Sequence, residues 1–467
     1  MPTLKTNLDR ATTLPFGFRT IVKTLVAVFT MTLLVAVVVL FLPDRNLDDE
    51  LALPRESDYT LEDSKRNLHL MIWGFDAPKG TSIVQEGMTI VRDLTEALKA
   101  HSAVEPGAFD EMEYGTPGKR ITFPAHDKLC KPETQLCFRE YRHQLSMGHS
   151  QIDEDGRLAI DRYILFYGAT VNIAIPPPDI NAPFPNYAPI VMVHRLYLQT
   201  LAVEYLQEKE HAALLKLEAD IEFLRWSLTQ ATDMMEKMIF AAMLADDLYF
   251  LAEALDEEKA PASFLKNIDS LTTEERSVRK PTLREARTTK SVFDKIAGSP
   301  EILSGDFQIP IWLSTRIFKK NFTSNWVYSK YKYVAQLGDL SPGEFAQEIN
   351  HGEILSRPPR RLPWYVYLYT PVTVIFESGW DDDTFRFDDY IGRLHNLNGL
   401  ITLINLKRAI RLAGVTKGNI TPYLERVKKK WKNPYTKEAV MWNPDDGTLY
   451  FEATGPRSKF NSIRLDI

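Results

Sequence analysis

The sequence predicts a mainly α-helical protein with an N-terminal transmembrane helix, a helical periplasmic body containing helical hairpins, and a small C-terminal β-hairpin. Three observations predict it. One long uncharged apolar run lies near the N-terminus, apolar residues recur at helical spacing in several later segments, and two β-prone runs flank Pro444-Asp445-Asp446-Gly447.

The apolar run fixes the first element. From Thr24 to Leu42 no residue is charged, which matches the ~20 residues a helix needs to cross a ~30 Å hydrocarbon layer. The tail of residues 1–23 carries Lys5, Arg10, Arg19 and Lys23 against Asp9, whereas the other flank reads Asp44, Arg45, Asp48, Asp49, Glu50. The positive-inside rule therefore puts the tail in the cytoplasm and everything after Pro43 outside. A cleaved signal peptide has an apolar core of only ~7–15 residues and a small-x-small cleavage site. This run is longer and passes directly into Leu42-Pro43-Asp44, so 24–42 reads as a signal anchor held in inner-membrane lipid.

An oxidising compartment suits the cysteines. Cys130 and Cys137 are the only two, in the polar stretch CKPETQLC, and such a pair outside the cytoplasm is expected as a disulfide. C-x6-C is not a redox C-x-x-C, and no second pair exists to complete a zinc site. With 44% hydrophobic and 25% charged residues the chain is globular in composition. A net charge of −6 speaks against nucleic acid as a partner.

The remaining elements follow in order. Residues 43–66 are acidic and polar and read as a spacer. A mixed region, 67–188, opens with NLHLMIWGFDAPKG, an apolar stretch closed by a Pro/Gly turn, and continues with helical spacing in GMTIVRDLTEALKAH, residues 87–101. Its irregular part holds the cysteine loop, and the proline-rich IAIPPPDINAPFPNYAP marks its boundary. Region 189–305 begins with two or three amphipathic helices, with Leu196, Leu201 and Leu206 on one and Leu214, Leu217, Ile221, Leu224 and Leu228 on the next. Short breaks between them predict antiparallel hairpins. The charged stretch 257–305 reads as a partly exposed arm. Region 306–467 holds two aromatic-rich segments, a helix over 387–414 stopped by Gly414, and the hairpin.

The order of parts, with LEADIEFLRWSL, MMEKMIFAAMLADDLYFLAEAL and DDYIGRLHNLNGLITLINLKRAI as the matching helices, resembles a group of uncharacterised single-span, membrane-anchored envelope proteins of proteobacteria. The likeness covers most of the chain and implies architecture and compartment. Asn433-Pro434-Tyr435-Thr436-Lys437 followed by MWNPDDGTLYFEATG is separately similar to the ending of type II secretion major pseudopilins. Pseudopilins are short and carry a Glu in the span; this chain has no such Glu and is far longer, so only the hairpin shape carries over.

Candidate chemistry is sparse. Asp381, Asp382, Asp383, Asp388 and Asp389 are closely spaced carboxylates suited to a metal ion, although Asp388 and Asp389 also stand where helix capping and the macrodipole favour acids. His143 and His149 lie near Asp153-Glu154-Asp155, another mixed imidazole and carboxylate set. Neither a G-x-S-x-G elbow nor a phosphate-cradling G-x-x-x-x-G-K-[ST] loop is present, and no catalytic residue is assigned and no cofactor expected. LPWYVYLYTPVTVIFE, 362–377, lies beside Arg357, Arg360 and Arg361 and suits either a core or a lipid interface, and Lys428, Lys429, Lys430 and Lys432 form a basic helix end beside Trp431. The expected function is an interaction or assembly factor of the envelope with a protein partner. The alternative is an envelope hydrolase or metal-binding protein using Asp381–Asp389.

Overall fold

The computed structural model describes residues 16–52, 65–101, 114–123, 129–132, 136–146, 152–173, 178–207, 209–257, 267–299, 310–357, 361–379, 387–452 and 462–466. The chain is mainly helical, with one small antiparallel sheet at its C-terminal end.

Helix α1 spans Phe16–Phe41, and its stretch Thr20–Phe41 is long and apolar enough to cross a membrane. Polar groups inside it are satisfied locally: the hydroxyls of Thr24, Thr30 and Thr32 donate to carbonyls one turn back, at 3.0, 2.8 and 2.8 Å. The expected spacer is not free over its described part. Leu51 is fully buried, the Asp48 N–H donates to Asn325 Oδ1 at 2.9 Å, and Arg287 Nη2 donates to the Glu50 carbonyl at 2.8 Å. Asp48 and Glu50 meet Lys332 on the body, its Nζ 2.9 and 3.4 Å from their carboxylates, so the segment is a strap.

Helix α2, Leu68–Trp73, and α3, Ile83–Ala100, cross at close range. A Cβ on Gly87 would stand 1.9 Å from the Leu70 carbonyl oxygen, so only glycine permits this approach. The Pro/Gly turn after α2 is pinned by buried Arg162, whose guanidinium donates to the carbonyls of Phe75, Ala77 and Pro78 at 2.9, 2.7 and 3.0 Å. Arg162 belongs to α5, Glu154–Leu165. Between them, α4, Cys137–Ser146, starts at the Cys130–Cys137 disulfide. Its first N–H groups, on Cys137 and Phe138, donate to the carboxylate of Glu253 at 3.0 and 2.8 Å. That carboxylate answers the orphan donors of the helix start.

Helices α6, Ala188–Leu206, α7, Glu210–Gln230, and α8, Met234–Ala254, form the middle of the body. Helix α8 is buried over most of its surface because α4, α6, α7 and two later helices pack around it. Its start is fixed by Asp233, which accepts from the Glu236 N–H at 2.8 Å, while Glu236 accepts from the Thr232 N–H at 2.7 Å.

A short α9, Thr273–Arg276, precedes α10, Arg279–Gly298. Helix α10 occupies the stretch expected as an exposed arm and is instead docked: Ala286, Phe293 and Ile296 are buried in one cluster with Val327, Tyr328 and Tyr331. Apolar residues at helical spacing among charges give it one packing face. Its partner is α12, Lys320–Asp339, which follows α11, Ile311–Ile317. Then come α13, Pro342–His351, α14, Val366–Tyr369, α15, Pro371–Gly379, and the long α16, Phe387–Leu412. Gly414 at φ +60° terminates α16 as the sequence predicts.

After α17, Ile420–Val427, strands β1, Met441–Asn443, and β2, Thr448–Glu452, form the expected hairpin. A third strand, β3, Ser462–Asp466, adds antiparallel to β2 with Leu449 opposite Leu465. The sheet rests on α16, where Phe451 and Ile463 close over Gly399.

Candidate functional site

Among the described residues, those singled out in sequence do not assemble into one centre. Asp381, Asp382 and Asp383 lie outside the described residues. Asp388 and Asp389 stand in the first turn of α16, where the Asp389 N–H donates to Asp388 Oδ1 at 3.0 Å. His149 also lies outside the described residues, and His143 sits in the last turn of α4. Asp153 caps α5 by accepting from the Gly156 N–H at 2.7 Å. Asp155 binds Lys79 and Thr122, which hold its carboxyl down at about 2. Lys428, Lys429 and Lys430 are exposed beyond the end of α17.

A first functional surface forms where α1 ends. The carbonyls of Leu40 and Leu42 accept from Lys319 Nζ at 3.1 and 2.8 Å, and the Pro43 carbonyl accepts from the Tyr369 hydroxyl at 2.7 Å. These bonds satisfy the open end of α1 with side chains far away in sequence. In return, Asp44 accepts from the N–H groups of Asn321 and Phe322 at 2.9 and 3.1 Å and caps the start of α12. Burial lowers the pKa of the Lys319 ammonium, although Asp44 opposes the shift.

The aromatic stretch 362–377 divides at this end. Leu362, Val366, Tyr369 and Val372 are buried, while Trp364 is 75%, Tyr367 54% and Ile375 47% exposed. Trp312 on α11 is 64% exposed, and Arg316 lies over the Phe41 ring at 5.4 Å. Helices α11 and α14 are the ones that pack against α1, so large apolar side chains and a cation surround its end.

A second centre lies inside the three middle helices. His194 on α6, Asp220 on α7 and Asp247 on α8 are each fully buried. His194 Nε2 stands 2.8 Å from Asp247 Oδ1 and 3.4 Å from Asp220 Oδ2. From α5, the Tyr163 hydroxyl donates to Asp220 Oδ1 at 2.7 Å. Asp247 Oδ2 and His194 Nδ1 are buried without a hydrogen-bond partner, and Asp220 Oδ2 is met only at longer range. Arg195, next in sequence, gives its charge elsewhere, to Asp246 at 2.9 Å.

Electrostatics here are governed by burial. Burial and then the Asp220 charge push the Asp247 carboxyl well up, while His194 pulls it down. Burial opposes charging His194, yet Asp247 and Asp220 outweigh it and hold the imidazole up at about 10. His194 is thus held in its charged form beside two acids, in a fully enclosed site. Three donor atoms, one per residue, lie within 4.8 Å of one another, close enough to hold one cation. Sequence motifs do not show this set, because each residue comes from a different helix. The available signal is a charged residue inside an apolar stripe: Asp220 falls between Leu217 and Ile221 on the buried face of α7.

No protein family matches the chain, and no curated protein or solved structure is found to be similar to it.

Proposed function

We propose that the chain is a single-span inner-membrane protein, with residues 1–23 in the cytoplasm and the helical body in the periplasm, that acts as an interaction or assembly factor of the cell envelope. What carries this reading is the bonding of the span's end into the body through Lys319, Tyr369 and Asp44. Such bonding gives the body one fixed attitude to the bilayer, as a protein that meets membrane partners requires. The charge asymmetry about the span supports the orientation, and the Cys130–Cys137 disulfide suits an oxidising compartment. Exposed Trp312, Trp364 and Tyr367 beside the span suit the headgroup level, where amphipathic rings collect.

The test is a crosslinked pull-down of the full chain from its native envelope, against an anchor-only control of residues 1–66. A protein retained by the full chain and absent from the control is the expected outcome. Identical recovery from both sinks the interaction reading. A second reading, metal binding, is favoured by the His194, Asp220 and Asp247 geometry rather than by Asp381–Asp389.

A further inference from the structure

We infer that His194, Asp220 and Asp247 hold one divalent transition-metal ion of the zinc or manganese class, which ties α6, α7 and α8 together. The inference starts from unmet bonding. Two carboxylate oxygens and an imidazole nitrogen face one another in a fully enclosed space, and Asp247 Oδ2 and His194 Nδ1 have no hydrogen-bond partner. Leaving buried polar atoms unpaired is costly, so a core that retains them invites a binding role.

Spacing fits a single small ion. Donors bound tetrahedrally at 2.0–2.1 Å lie about 3.3 Å apart. The observed separations from His194 Nε2 are 2.8 Å to Asp247 and 3.4 Å to Asp220, so the donors need to spread only slightly to admit the ion. Charge fits once the ion displaces the proton that His194 otherwise holds: two carboxylates and a neutral imidazole then carry a charge that one divalent ion cancels.

The donor set selects the metal class. One nitrogen with carboxylate oxygens suits zinc, manganese or ferrous iron, and the absence of sulfur donors speaks against cuprous copper. Calcium needs 6–8 oxygen ligands, more than these side chains offer. Tyr163 holds Asp220 from the far side, as a second layer of bonding does around metal ligands. Full enclosure assigns a structural ion rather than one that activates substrate.

The experiment uses the full-length chain in detergent, stripped with EDTA and then titrated with Zn2+, with Mn2+ and Ca2+ in parallel. Bound metal is measured by mass spectrometry of the dialysed protein, and stability by thermal unfolding. One ion of Zn2+ or Mn2+ per chain and a Tm raised by roughly 3 °C or more at saturation are expected. Asp220→Asn and Asp247→Asn keep side-chain size and are expected to lose the ion while helicity and the disulfide persist. Uptake below about a tenth of an ion per chain by the stripped wild-type protein overturns the inference. So does calcium in place of the transition metals, or full zinc uptake by a folded D247N protein. Should both variants unfold, the wild-type titration and its Tm shift decide the matter alone.

Discussion

Glu236, Glu253 and Glu285 each have a carboxyl pushed up to about 7 by burial, with the charge of Asp233 adding to the rise in Glu236 and Glu285. A carboxyl whose folded pKa is raised binds its proton more tightly in the native state. Its stabilising contribution is therefore complete below the unfolded value near 4.3 and is lost as pH rises through about 7. Thermal unfolding of the full chain should accordingly show a Tm that falls between about pH 5 and pH 7. Glu285→Gln removes one titrating group and should shrink that fall by roughly 2 kcal/mol; an unchanged slope counts against a buried carboxyl there. Below about pH 4 the trend reverses, because Asp155 and Glu348 are both held down at about 2. Above pH 7 the trend is also opposed, by Lys237, whose buried ammonium is lowered to about 7. At this scale the sequence was least legible. Asp388 and Asp389 drew attention because they adjoin in the chain, whereas His194, Asp220 and Asp247 adjoin only after three helices have packed.

Among elements, the disulfide and the end of the span make separate predictions. Cys130 and Cys137 close a loop with a sequence separation of 7; replacing both by serine removes a chain constraint of about 2.5 kcal/mol. Urea unfolding of C130S/C137S should show that loss, and a change near zero would mean that Glu253 alone holds the start of α4. Lys319→Met removes the donor to the Leu40 and Leu42 carbonyls. Hydrogen exchange at residues 41–48 should accelerate by about tenfold, ~1.4 kcal/mol, with the three middle helices unchanged. Equal protection in the variant would show that Tyr369 and Asp44 suffice.

Element identity was the most legible level, and burial explains where it was not. Helix α16 announced itself through Leu394, Leu397, Leu400 and Ile404, with its stop at Gly414. Helix α10 carries so many charges between Ala286, Phe293 and Ile296 that the sequence alone suggests an exposed arm. Strand β3 offers only Ile463 and Leu465 as an alternating pattern, too few to declare a strand before β2 provides an edge.

For the whole molecule, the apolar helix is legible in the sequence but its attachment is not, because the groups that receive it lie more than 270 residues downstream. If the bilayer covers the exposed rings near this junction, their fluorescence will register it. Full-length protein in vesicles of phosphatidylethanolamine and phosphatidylglycerol carrying brominated acyl chains should lose part of its tryptophan emission to quenching. Trp364→Phe and Trp312→Phe should each reduce the quenched fraction. Unaltered quenching in both variants would place those rings in water.

The attachment also imposes a schedule on biosynthesis. Ribosomes deliver the span first, but the Pro43 carbonyl must wait for Tyr369, which follows 326 residues later. At ~5–20 residues per second that interval is on the order of tens of seconds. Throughout it the Pro43 carbonyl lacks this donor, and a chain truncated before α14 keeps only the bonds that Lys319 and Asp44 make at that end.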